Sequence, residues 1–172
     1  VAWEADDGAG ALVESEDEIY VQRLAANGAE LGVDDRRVSD AGPDGDGDFE
    51  ADTPSLGYNP ATNQYLVAWD GEDDAGSLVV DEDEIYIQRL AASGAQVGVN
   101  DQRISQMGPD GSDVFEAKTP RVAIGARANE FLVTWAGEDD AGGLGDGENE
   151  VFAQRIGPDG AQIGGDDVRV SV

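Results

Sequence analysis

The chain has 172 residues, and its 38 Asp and Glu against 10 Lys and Arg give a formal net charge of −28. Cations this few and scattered do not form a phosphate-binding surface or one for anionic lipid, and no apolar run approaches the ~18 residues of a membrane span, so nucleic acid and membrane insertion are set aside. With no Cys and no His, disulfides, thiol nucleophiles, Cys/His zinc sites, Ser-His-Asp triads and imidazole acid–base chemistry are excluded together.

The chain order is that of a repeat. Val1-Ala2-Trp3 returns as Val67-Ala68-Trp69 and as Val133-Thr134-Trp135, a period of 66 residues. The register holds to the end, where Arg37-Val38-Ser39, Arg103-Ile104-Ser105 and Arg169-Val170-Ser171 correspond, and roughly half the positions of the first two copies are identical. The units are a partial first repeat over 1–52, a second over 53–118 and a third over 119–172, together one repeat-built domain. Val1 is not an initiator Met, which suggests a processed product or a segment of a longer array.

Each unit reads as β-strands. In the third copy a first strand opens at Thr119-Pro120-Arg121-Val122-Ala123-Ile124 and a second covers Glu130-Phe131-Leu132-Val133-Thr134-Trp135. A third spans Glu150 to Ile156, and a fourth runs toward Val168-Arg169-Val170-Ser171. Asn27-Gly28, Ser93-Gly94 and Asp159-Gly160 share one register position and supply the positive φ of a tight hairpin between the third and fourth strands. Strands such as Ile85-Tyr86-Ile87-Gln88-Arg89-Leu90 are apolar on both faces, so both faces are expected to be covered. The expected fold is all-β, with tandem four-stranded antiparallel blades in a propeller-like array; a twisted β-sandwich or a β-solenoid are the alternatives.

The Tyr/Phe-Leu-Val-x-Trp strand followed by an Asp/Glu-Ile-Tyr-x-Gln-Arg strand resembles extracellular bacterial propeller-like repeats, related to FG-GAP and integrin-type calcium-loop propellers. Here these are Tyr65-Leu66-Val67-Ala68-Trp69 with Glu84-Ile85-Tyr86-Ile87-Gln88-Arg89, and Phe131-Leu132-Val133-Thr134-Trp135 with Glu150-Val151-Phe152-Ala153-Gln154-Arg155. The resemblance implies a secreted or surface-anchored architectural module, often calcium-dependent. The unit is longer than the ~40 to 50 residues of a usual blade, the excess lying in acidic, Gly-rich loops.

Low hydropathy with high charge is also the composition of disorder, but three Trp, four Tyr and four Phe at regular places argue for a folded chain. Folding then crowds carboxylates, and bound cations or a high-salt medium must offset their repulsion. The first candidate site is Asp44, Asp46, Asp48 and Asp52, spaced by Gly so that the loop can curl around one Ca²⁺; it resembles the FG-GAP-type loop, with Phe49 in place of a Gly. In the second copy Ser112, Val114 and Lys118 replace Asp46, Asp48 and Asp52. The second candidate recurs in every unit: Asp7, Asp73 and Asp139; Glu16, Glu82 and Glu148; and Glu18, Glu84 and Glu150, with Gly10, Gly76 and Gly142 between.

Arg23, Arg89 and Arg155 on the third strand, and Arg37, Arg103 and Arg169 on the fourth, are expected to make structural ion pairs across to the neighbouring unit's carboxylates. Trp3, Trp69 and Trp135 read as core anchors. Carboxylate pairs suited to a glycosidase arise by chance among 38 acids, so an enzyme is not expected. The expected function is a calcium-stabilised extracellular structural or adhesion module that assembles with other copies or further repeats into a surface fibre or sheath. The alternatives are a propeller lectin holding glycans through calcium and a glycosidase on the same scaffold.

Overall fold

The computed structural model describes residues 1–6, 11–74, 77–125, 129–139 and 147–171. Among them are eleven strands and no helix: β1 (Ala2–Ala5), β2 (Glu18–Leu24), β3 (Glu30–Arg37), β4 (Ala51–Asn59), β5 (Gln64–Gly71), β6 (Glu84–Ala91), β7 (Gln96–Arg103), β8 (Ala117–Gly125), β9 (Glu130–Gly137), β10 (Glu150–Ile156) and β11 (Gln162–Arg169). They form three antiparallel sheets in simple chain order, β1-β2-β3, β4-β5-β6-β7 and β8-β9-β10-β11.

The sequence pattern explains each sheet. Gly28, Gly94 and Gly160 sit at φ 82°, 84° and 90°, the left-handed conformation that closes the last hairpin of each unit at no Cβ cost. The central pair holds full register from Gln64↔Ala91 to Gly71↔Glu84 and sets Trp69 opposite Tyr86. The same pairing puts Trp3 opposite Tyr20 and Trp135 opposite Phe152, and each pair stacks at 6.2 to 6.3 Å between ring centroids.

β10 covers the predicted third strand, whereas the fourth strand stops at Arg169, short of Val170 and Ser171. The reason is a substitution in the ladder. The Val151 amide donates to Ser171 Oγ at 2.7 Å, as the Ile19 amide does to Ser39 (2.6 Å) and the Ile85 amide to Ser105 (2.7 Å). A side-chain hydroxyl thus stands where the next main-chain acceptor would.

Two cores follow from strand alternation. Leu66, Ala68, Ile85 and Ile87 on one face of the middle sheet pack with Phe131, Val133, Trp135, Phe152 and Ile156 of the third. Val67, Trp69, Tyr86 and Leu90 on its other face pack with Ile19 and Val21 of the first. The middle sheet is therefore sandwiched, which is why its central strands β5 and β6 lack an exposed face.

Candidate functional site

Three kinds of polar construction hold the acids and the crossing arginines, and the first two are repeated from unit to unit. The first is a buried carboxylate latch. A turn at 13–16 and its copy at 79–82 deliver Glu16 and Glu82, both 0% exposed, beneath the loops that lead to β4 and β8. Glu16 accepts the amides of Val13 (2.9 Å) and Gly45 (3.1 and 3.0 Å), and Glu82 those of Val79 (3.0 Å) and Gly111 (3.2 and 2.9 Å). Two residues on, Glu18 accepts from the Ser39 hydroxyl, the Ala41 amide (3.2 Å) and Arg37 (3.3 Å). Glu84 accepts from the Ser105 hydroxyl and the Met107 amide (3.1 Å), with Arg103 at 3.9 Å. Burial pushes both Glu18 and Glu84 up to about 7, against the pull of the serine and the arginine.

The latch accounts for Asp44. The Arg37 guanidinium holds it at 2.8 Å and Asp40 at 2.8 Å, and Arg103 holds Asp110 at 3.0 Å. Oxygens of Glu16, Glu18 and Asp44, and of Glu82, Glu84 and Asp110, lie within 4.8 Å of one another, but backbone amides and an arginine already serve them. In the third copy Ser171 donates to Glu150, while Glu148 is exposed and Arg169 has no ion pair among the described residues.

The structure does not bring Asp44, Asp46, Asp48 and Asp52 together. Asp44 is drawn to Arg37, Asp46 accepts the Asp48 amide at 3.3 Å, and Asp52 groups instead with Asp17 and Glu50. The loop's curl is spent on presenting the Gly45 amide, at φ 96°, to Glu16. Asp73 lines a small hollow with Asp40, Glu72, Tyr86 and Asp101, and the charge of Asp139 helps to raise Asp167. Asp7, Gly10, Gly76 and Gly142 lie outside the described residues.

The second construction is an arginine clasp. Arg23 donates to the Ser93 carbonyl (3.2 Å) and Arg89 to the Pro158 carbonyl (2.8 Å), each in the next unit's hairpin. These two cross the seam, but to main-chain carbonyls instead of carboxylates, because the hairpin tips are what lie opposite. Arg37 and Arg103 stay within their own unit, and Arg155 turns back to Glu130 at 2.7 Å. In the reverse direction Gln96 donates to the Val38 carbonyl (2.9 Å) and Gln162 to the Ile104 carbonyl (3.0 Å).

The third construction is an acidic cleft of about 290 Å³, lined by Glu50, Asp52, Thr53, Asp70, Glu72, Asp81, Asp83, Glu116 and Lys118. Burial, then neighbouring charge, pushes Asp70 and Glu72 up to about 7. Thr53 and Thr119, at φ 46° and 58°, bulge the first strand of their units, and Glu4 and Asp70 hold them by accepting their amides at 2.6 and 3.2 Å. Sequence reasoning missed Asp17, Glu50, Asp83 and Glu116. Their signal was the charge reversal from Asp52 to Lys118 between otherwise matching acidic surroundings.

Comparison with protein-family models, with curated proteins and with solved structures finds no match to this chain.

Proposed function

We propose that the chain is a non-catalytic building block of an extracellular or cell-surface assembly, whose sheets succeed one another as propeller-like blades with bound cations, calcium among them, as counter-charge. One observation supports this reading above the others. Leu66 and Ile85 are 0% exposed against the third sheet, whereas their counterparts Leu132 and Val151, on the outward face of that sheet, are 37% and 42% exposed. Val170, the counterpart of the buried Ile104, is 59% exposed. An apolar sheet face of this composition is what the Trp-bearing face of another unit covers twice within the chain. The preferred occupant is therefore another copy of the chain or a further repeat of the same kind, in head-to-tail contact that closes as a ring or extends as a filament.

The test is sedimentation velocity across a concentration series. The full chain is expected to associate reversibly, and Leu132→Asp with Val151→Asp, which alters only the outward face, is expected to abolish association while leaving the melting midpoint of the dilute, monomeric chain unchanged. A chain that stays monomeric at every concentration, with or without CaCl₂, overturns assembly through this face.

A further inference from the structure

We propose that the outward face of the third sheet receives the Trp3-bearing face of the first sheet of a second copy of the chain, and that Glu30 of that copy pairs across the seam with Arg169. This rests on the assembly reading, whose occupant it names together with the polar contact that fixes the register.

In both internal seams the Trp-bearing face belongs to the later sheet. Trp69 packs toward Ile19 and Val21 of the first sheet, and Trp135 toward Ile85 and Ile87 of the second. The first sheet turns the same face outward. Leu24 on that face is 45% exposed, whereas its register counterparts Leu90 and Ile156 are 2% and 0% exposed, and Trp3 is half-buried where Trp69 and Trp135 are buried. Head-to-tail contact therefore joins the open face of the third sheet to the open face of the first, in the order that the internal seams already follow.

The polar contacts of the internal seams fix which groups then meet. Gln96 donates to the Val38 carbonyl at 2.9 Å and Gln162 to the Ile104 carbonyl at 3.0 Å, so each amide head sits beside the arginine that precedes that carbonyl, Arg37 or Arg103. Gln96 and Arg37 line one hollow. Both arginines already have acids of their own unit: Glu18, Asp40 and Asp44 for Arg37, and Glu84 and Asp110 for Arg103. At the seam between copies both members change together. Glu30 is the counterpart of Gln96 and Gln162, and Arg169 that of Arg37 and Arg103; both are exposed, and neither has an ion pair among the described residues. A carboxylate cannot donate to the Val170 carbonyl that Glu30 would meet there, but Arg169, the residue before Val170, supplies the cation that it needs. An arginine without an acid is thus matched by an acid in place of the amide. Two chains of net charge −28 repel, so this pair selects orientation and register more than it adds affinity.

The experiment is sedimentation velocity on the full chain, on Glu30→Arg, on Arg169→Glu and on an equimolar mixture of the two variants. Each variant alone sets like charges against each other across the seam and is expected to weaken association roughly tenfold. Glu30→Arg also makes the chain less negative, so overall repulsion by itself predicts tighter association for this variant. The mixture is expected to recover association, because every seam between unlike variants joins opposite charges. If the wild type associates and Glu30→Arg associates as well or better, the pair is overturned while assembly stands. If both variants fail to associate and their mixture fails too, the two residues do not meet, and the pair is overturned in the same way. A wild type that stays monomeric overturns the pair and the assembly reading together.

Discussion

Arg89 reaches out of the second repeat to donate to the Pro158 carbonyl at 2.8 Å, and in doing so it lies across Gly160, the φ +90° residue of the third repeat's hairpin. Arg23 does the same one repeat earlier, donating to Ser93 and covering Gly94. The clasp ties each sheet to the next at the hairpin tip, away from the apolar core. Arg89→Met, which keeps the stem and removes the donors, is expected to cost about 1 kcal/mol in urea unfolding, below the usual range for a charged donor because the bond is solvent-accessible. An unchanged midpoint contradicts the clasp.

The hairpin glycines separate conformation from contact. A Cβ at Gly160 would lie 2.8 Å from Arg89 Nε, whereas one at Gly28, at φ 82°, would meet nothing within 4 Å. Both alanine variants carry the left-handed cost of roughly 1 kcal/mol. Gly160→Ala is expected to cost measurably more than Gly28→Ala, and to lose that excess when Arg89→Met is combined with it. Equal costs in the two hairpins contradict the contact.

Ser105 joins a strand amide to a buried acid: the Ile85 amide donates to its Oγ, and its hydroxyl donates to Glu84. Ser105→Ala strands both partners in a dry site and is expected to cost about 2 to 3 kcal/mol. Ser171→Ala, whose partner Glu150 is only half-buried, is expected to cost less. A denaturant series on both variants reads the difference, and similar values contradict the role given to burial.

Much of this was legible in the sequence, and the parts that were not share a cause. The 66-residue register, the hairpin glycines and the two-faced strands are local or periodic signals, and β10, Gly160 and the middle sheet follow from them. The partners of the acids depend on which loops meet across the fold. Spacing alone made Asp44 and Asp52 ligands of one ion, yet the bulge at Thr53 and the pull of Arg37 send them to different clusters. Likewise Arg89 was expected to seek a carboxylate, and nothing in the linear order marks the Pro158 carbonyl as the group opposite it.

Acid is expected to stabilise this protein. Burial raises Glu84 and Asp101 to about 7 and Asp167 to about 6, while the same carboxyls titrate near 4 in the unfolded chain. The groups facing them are Arg103 and Asp167 at Glu84, and Asp40, Glu18 and Asp73 at Asp101, so acid neighbours outnumber the one cation. The folded state holds these protons more tightly, so the stabilisation is complete below about pH 4 and is lost as the pH rises through 6 to 7. In EGTA at fixed ionic strength the melting midpoint is expected to climb from pH 8 to pH 5. A midpoint that falls over that interval contradicts the assignment.

The central claim is that each sheet is stabilised by the one stacked on its outward face, and the most direct measurement is the melting midpoint of the chain extended in register by one further 66-residue unit. Nearest-neighbour stacking makes the extended chain melt higher than the parent in the same chelator-containing buffer, because Leu132 and Val151 become buried as Leu66 and Ile85 are. An extended chain that melts at the parent's midpoint, or in two separate steps with the added unit unfolding alone, contradicts it.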